Sequence, residues 1–235
     1  MVFKKSEFLH KKLQIRKAQK VYQILFRYFG QPTWRNPLTP LDELMSTILS
    51  QNTNDQNRDT ALQNLKKTFP SWEKVRDAPQ EEVINSIRSA GLANQKGARM
   101  QSILRQITEE RGNLDICFLA DLPSEEVRQW LLRFKGVGPK TASIVMQFSL
   151  NHPAFPVDTH IYRISGRLGL RPQKMNVEKT HELMEKLFNP DQYSTAHLNI
   201  IRLGREICLA RKPKCLDCPL QKQCSYFNNL PSGKC

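Results

Sequence analysis

The chain of 235 residues lacks any apolar run near the ~18 residues that a membrane-spanning helix needs. Its first residues, M-V-F-K-K-S-E-F-L-H-K-K, lack the apolar core and small-residue cleavage site of a secretory signal. A reducing, cytoplasmic compartment is therefore expected, with Phe8, Leu9 and Leu13 beginning a surface helix. No stretch sustains period-two alternation with hairpin turn residues, which argues against a sheet. There is no internal repeat and no low-complexity segment, which excludes solenoids and tail-like chains. Acidic residues are scarce: 22 Asp and Glu stand against 36 Lys and Arg, a net charge of +14. Such an excess favours polyanionic partners, because each phosphate neutralised releases a condensed counterion. Membrane surfaces would suit the charge, but no basic amphipathic stretch with an aromatic-rich face accompanies it.

What is present is helical periodicity almost throughout. Thr39 and Pro40 form a start signal, with Asp42 and Glu43 at the positive end of the helix dipole. Leu41, Leu44, Met45, Ile48 and Leu49 then form a core-facing stripe that ends near Ser50–Asn54. Pro79 opens a second helix with Val83, Ile84 and Ile87 inward and Gly91 as its cap. Pro123 opens another with Val127, Trp130 and Leu131 inward. The expected fold class is all-α.

The most informative stretch is L-L-R-F-K-G-V-G-P-K-T-A, Leu131 to Ala142. A helix runs into Phe134, Gly136 and Gly138 flank an inward-pointing Val137, and Pro139 starts the next helix. Glycines without Cβ atoms let backbone N–H groups approach a phosphate, and the helix N-terminus adds its positive dipole. A plain tight turn between helices is the alternative at this point. Eighteen residues beyond Lys140 stands F-P-V-D-T-H, with Asp158 at its centre. Taken alone, Lys140 reads as a solvated lysine and Asp158 as a helix cap.

Together, G-V-G-P-K-T-A and V-D-T-H at this spacing resemble the signature of the endonuclease III branch of the helix–hairpin–helix DNA glycosylases. The resemblance runs from about residue 30 to Cys224. It implies base-excision repair of double-stranded DNA holding a damaged base or abasic site, by a monomer without membrane attachment, nucleoid-associated in a prokaryote. In that role Lys140 is the amine that attacks the sugar and cuts the strand by β-elimination. Asp158 is the carboxylate that stabilises the oxocarbenium-like transition state. Gln51 and Leu92 would fill the gap left by the extruded base. As local structure, Gln51 reads as a helix C-cap and Leu92 as a hydrophobic contact beside Gly91. Gly136, Val137, Gly138 and Thr141 of the hairpin, with Lys212 and Lys214, would contact DNA. One departure from the family pattern is Thr53-Asn54, where the family has Thr-Asp after the glutamine.

Four of the six cysteines, Cys208, Cys215, Cys218 and Cys224, fall within 17 residues. Cys117 and Cys235 stand apart and are read as incidental. The spacing alone suits either zinc or an iron–sulfur cluster; the resemblance implies a 4Fe–4S cluster, amid Arg202, Arg205, Arg211, Lys212, Lys214 and Lys222. It also implies two helical lobes with a DNA cleft between them. One is a six-helix domain over residues 32–152. The other is a discontinuous cluster domain of residues 1–31 and 153–235.

Oxidised pyrimidines are the expected substrates. Uracil, an oxidised purine, a methylated cytosine or a mismatched base is the alternative, as is a non-catalytic DNA-binding iron–sulfur protein. Monofunctional branches lack lysine at the position of Lys140, and the adenine branch has a glutamate where Thr47 stands.

Overall fold

The computed structural model describes residues 2–33 and 37–230, residues 2–11 as backbone only. Its helices are α1 (Val2–Phe29), α2 (Pro40–Leu49), α3 (Asp55–Thr68), α4 (Trp72–Asp77), α5 (Gln80–Ser86), α6 (Ala93–Arg111), α7 (Ser124–Leu132), α8 (Pro139–Ser149), α9 (Thr159–Leu168), α10 (Val177–Leu187), α11 (Tyr193–Glu206) and α12 (Ser225–Asn228). The fold is all-α, and no strand occurs among the described residues. No helix among them is long and apolar enough to cross a membrane. The chain divides into two compact units, one of residues 37–152 and the other of residues 1–36 with 153–235.

In the 37–152 unit, α2 starts as its residues dictate: the Thr39 hydroxyl accepts the Asp42 N–H at 3.3 Å and Pro40 takes the first helical position. The stripe Leu41, Leu44, Met45, Ile48 and Leu49 is buried, and α2 packs against α8, α3 and α6. The long α6 buries Met100, Ile103, Leu104 and Ile107, and packs against α4 and α5. The buried Gln101 amide donates to the carbonyls of Val75 (2.9 Å) and Ala78 (2.8 Å), tying the end of α4 to α6. Pro79 and Pro123 sit just outside α5 and α7 as cap residues rather than inside them. Ile84 is half-buried and packs over Gly97 of α6. The α7 helix ends at Leu132, short of the expected Phe134. The chain leaves the helix there, while Phe134 turns into the core edge-on to Trp130, 4.9 Å between ring centroids.

The other unit packs α1 against α10 and α11, and α9 against α11 and α12. Val21, Leu25, Phe155, Ile161, Ile164 and Leu203 belong to its core. Phe155 stacks on Phe188 at 5.4 Å. Leu13 is exposed on α1, as expected of a surface helix. The side chains of Phe8 and Leu9, and all of Cys235, lie outside the described residues.

Leu44 is fully buried where α2 meets its neighbours. Leu44→Ala is expected to lower the unfolding free energy by about 2–5 kcal/mol. Urea denaturation checks this as a lower midpoint at unchanged slope.

Candidate active site and cysteine cavity

The glycine hairpin forms as the sequence predicts, with one feature the sequence does not show. The Val137 N–H donates to the Phe134 carbonyl at 3.0 Å, closing the turn, and the Val137 side chain is buried. Gly136 adopts φ +88°, in the left-handed region that favours glycine. A Cβ there would collide with the Arg99 guanidinium, so the arginine side chain occupies the space the glycine leaves. The Gln51 amide nitrogen donates to the Gly136 carbonyl at 3.0 Å, and the Arg99 guanidinium donates to the Gln51 amide oxygen. Gln51 and the hairpin are thus in direct contact, bridged by a residue of α6.

Beyond the hairpin, α8 begins with Gly138 as cap and Pro139 first. Its first intrahelical bond is Ala142 N–H to Gly138 O, 3.0 Å. The N–H groups of Lys140 and Thr141 therefore belong to the open, positive end of the helix. Lys140 is half-buried in the first turn. The Thr141 side chain is buried, so any contact to DNA from this residue goes through its backbone.

Gln51 does not cap α2; Ser50 does, and the following Asn52 turns left-handed at φ +54°. Asn54, which departs from the family pattern, caps α3 by accepting the Asn57 N–H at 2.8 Å. Leu92 is not a buried contact. It is 50% exposed in a left-handed conformation, φ +49°, directly after Gly91 at φ +66°. Thr47 is buried and donates to the Glu43 carboxylate at 3.4 Å.

Asp158 belongs to the other unit. One carboxylate oxygen accepts the Ile161 N–H at 2.8 Å and caps α9, which fixes the direction of the carboxylate. His160 follows it. Its Nδ1 lies 3.1 Å from the Arg163 guanidinium, which can only donate, so this nitrogen accepts and the imidazole is neutral. Burial holds the His160 pKa below its ordinary value of 6.5, against the opposing pull of Asp158.

At the other end of α9, arginines one turn apart hold the cysteine loop. Arg163 donates to the carbonyls of Gly204 (3.2 Å) and Cys208 (3.0 Å). Arg167 donates to Leu209 O (2.6 Å), Ala210 O (2.9 Å) and the Cys208 sulfur (3.2 Å). The Lys214 N–H closes the loop onto Ile207 O at 2.9 Å. Cys208, Cys215, Cys218 and Cys224 line one small cavity. None of the four is in a disulfide, and neither is the exposed Cys117. Burial raises the Cys218 pKa, and the neighbouring Cys208 and Cys224 raise it further. As the thiols stand, no group of three or more His, Cys, Asp or Glu side chains among the described residues is set to hold a metal ion. Arg211, Lys212, Lys214 and Lys222 are exposed, Lys214 lining the cavity and Lys212 at φ +49°, whereas Arg202 pairs with Glu206 at 2.8 Å.

Four residues escape a reading of the sequence: Arg99, Arg163 and Arg167 of these arrangements, and Lys96 of α6, which is buried and donates to the carbonyls of Leu49 and Ala90. For Lys96 a signal exists, since it shares the apolar stripe of α6 with Met100, Ile103 and Ile107. The arginines bind carbonyls and side chains distant in sequence, and local pattern carries no trace of that.

Residues 45–190 match the family described as HhH-GPD superfamily base excision DNA repair protein. The chain is 38% identical over 190 residues to a candidate DNA glycosylase of Arabidopsis thaliana, covering 77% of itself and 64% of that relative. It is 32% identical over 195 residues to endonuclease III of Thermotoga maritima, covering 83% of itself and 87% of that enzyme. Among solved structures it is similar to endonuclease III in a non-covalent complex with DNA, with TM-score 0.79, 26% identity, and coverage of 91% of this chain and 96% of that one.

The His160 geometry has a pH consequence. The unfolded chain takes up a proton at about pH 6.5, the folded chain only at lower pH, so stability falls as pH drops below about 6.5. Chemical denaturation across that range is expected to show a steeper loss for the native sequence than for His160→Gln. Parallel curves would contradict the assignment.

Proposed function

The chain belongs to the HhH-GPD superfamily of base excision DNA repair proteins, and we propose that it is a DNA glycosylase that also cuts the strand at the abasic site it makes. The observation that carries this reading is the occurrence in one sequence of a hairpin lysine, Lys140, and, eighteen residues on, Asp158 of V-D-T-H, both inside the matched span of residues 45–190.

In this reading the Gly136–Gly138 hairpin and the open N-terminus of α8 grip the phosphate backbone without reading bases, because phosphates carry no sequence information. The extruded nucleotide presents C1′ to the amine of Lys140, which attacks with its lone pair. The C1′–N bond breaks, the base leaves with the bonding pair, and the Asp158 carboxylate stabilises the positive charge that develops on the sugar. The lysine nitrogen bonds to C1′ and loses a proton; its lone pair then opens the sugar ring by breaking the C1′–O4′ bond, O4′ takes up a proton, and a protonated Schiff base results. That imine acidifies the C2′ proton, whose removal expels the 3′ phosphate. Gln51 and Leu92 fill the gap in the duplex; the exposure of Leu92 and the polar amide of Gln51, which can exchange its bonds to Gly136 and Arg99 for bonds to a base, suit them to this. The substrates are oxidised pyrimidines, with thymine glycol and dihydrouracil the expected cases. Thr47 in place of a catalytic glutamate weighs against adenine removal.

We assign the cysteine cavity to a 4Fe–4S cluster held by Cys208, Cys215, Cys218 and Cys224. Four thiols around one cavity, with the Arg167 guanidinium donating to one of them, suit a thiolate-ligated centre, since a cation beside a thiolate stabilises it. The cluster supplies cross-links that hold the basic loop in shape. Lys212 and Lys214 on that loop then meet DNA phosphates.

Lys140→Gln is expected to reduce borohydride trapping on an abasic duplex to background while leaving duplex binding in place. Trapping that persists at the native level rules out Lys140 as the nucleophile. For the cavity, protein produced with adequate iron is expected to contain about four iron and four sulfide per chain, and Cys218→Ser to lose most of both. Stoichiometric zinc in their place would overturn the cluster.

A further inference from the structure

Lys96 has no part in the chemistry proposed above, yet it is 1% exposed. A lysine is almost never buried so completely without a partner. Its partners are two backbone carbonyls: Nζ donates to Leu49 O and to Ala90 O, each at 2.7 Å. Burial lowers its pKa, and the nearby Arg99 lowers it further.

The two carbonyls share a position. Leu49 is the last residue of α2, and Ala90 is the last residue of the short helical turn Arg88–Ala90. Each lies at the negative end of a helical segment, where unsatisfied carbonyls attract a cation. Each also stands two residues before a proposed gap-filling side chain, Gln51 after Leu49 and Leu92 after Ala90. Both exits then turn left-handed, at Asn52 and at Gly91-Leu92. One nitrogen bonded to both oxygens therefore sets the distance between the two exit turns. One turn further along α6, Arg99 bonds Gln51 and lies over Gly136, joining the hairpin to the same helix.

We propose that Lys96 is a positioning residue for DNA engagement: its ammonium joins the carbonyls of Leu49 and Ala90 and so holds Gln51 and Leu92 at the spacing needed to enter the duplex together. The proposal rests on the reading of Gln51 and Leu92 as gap-fillers. An ordinary buried lysine that only stabilises the fold would lower Tm without changing how the protein discriminates between duplexes.

The test is a mutant cycle read as the ratio of affinities for a duplex carrying a tetrahydrofuran abasic analogue and for the intact duplex. This ratio does not depend on which base is excised. Lys96→Met is expected to lower the ratio on the order of tenfold or more, since small misplacements of docking groups have large effects. Lys96→Arg, which keeps the charge and the donors, is expected to restore it to within about threefold. In a Gln51→Ala/Leu92→Ala background, Lys96→Met is expected to have no further effect, because residues acting through one another are not additive. If the double alanine variant itself leaves the ratio unchanged, the gap-filling reading fails, and the proposal with it. If the double variant lowers the ratio but Lys96→Met lowers it again by its full factor, or lowers only Tm, the positioning role alone is overturned. Should Lys96→Met not fold, Lys96→Gln, which keeps two donors and loses the charge, carries the same cycle.

Discussion

Within the 37–152 unit, the organisation of the proposed DNA-facing elements depends on two cations of α6. Lys96 bonds the carbonyls that end two helical segments, and Arg99 bonds Gln51 while lying over Gly136. Three turns far apart in sequence are thereby fixed to one helix. The bonds run from charged donors to neutral oxygens, which makes them stronger than neutral pairs, and at Lys96 they are shielded from water. The glycine at 136 is required twice over. It adopts a left-handed conformation, and it leaves room for the arginine that ties the hairpin down.

The other unit uses its arginines in a comparable way. The α9 helix begins at the Asp158 cap and presents Arg163 and Arg167 one turn apart to the carbonyls of the cysteine loop. The catalytic carboxylate proposed here and the cysteine cavity are therefore supported by one rigid helix. A carboxylate oxygen committed to a backbone N–H has less freedom to rotate, and a preorganised charge stabilises a transition state without reorganising at the moment of reaction. Asp158 as a helix cap and Asp158 as an electrostatic catalyst are thus compatible.

Much of the local architecture is legible in the residues themselves. Thr39-Pro40 and Gly138-Pro139 start helices because their chemistry is local. The α2 stripe is buried because its period matches the helix, and Val137 points inward between its two glycines. Long-range partners are what the sequence hides. The run A-N-Q-K-G-A-R looks like a solvated helix face, and only the register of Lys96 with Met100 and Ile103 hints at burial. Gln51 reads as a cap because it follows a helix, whereas Ser50 takes that place and Gln51 reaches 85 residues along the chain to Gly136. Phe134 reads as helical because its apolar character fits the α7 stripe. Its side chain is indeed buried, but the backbone has already left the helix.

The central claim is that Lys140 forms the covalent bond to DNA. Its most direct test is mass spectrometry of peptides from the borohydride-trapped complex of the native protein with an abasic duplex. The account predicts a single modified peptide with the deoxyribose adduct on Lys140. An adduct on another amine, or none at full binding, would contradict it.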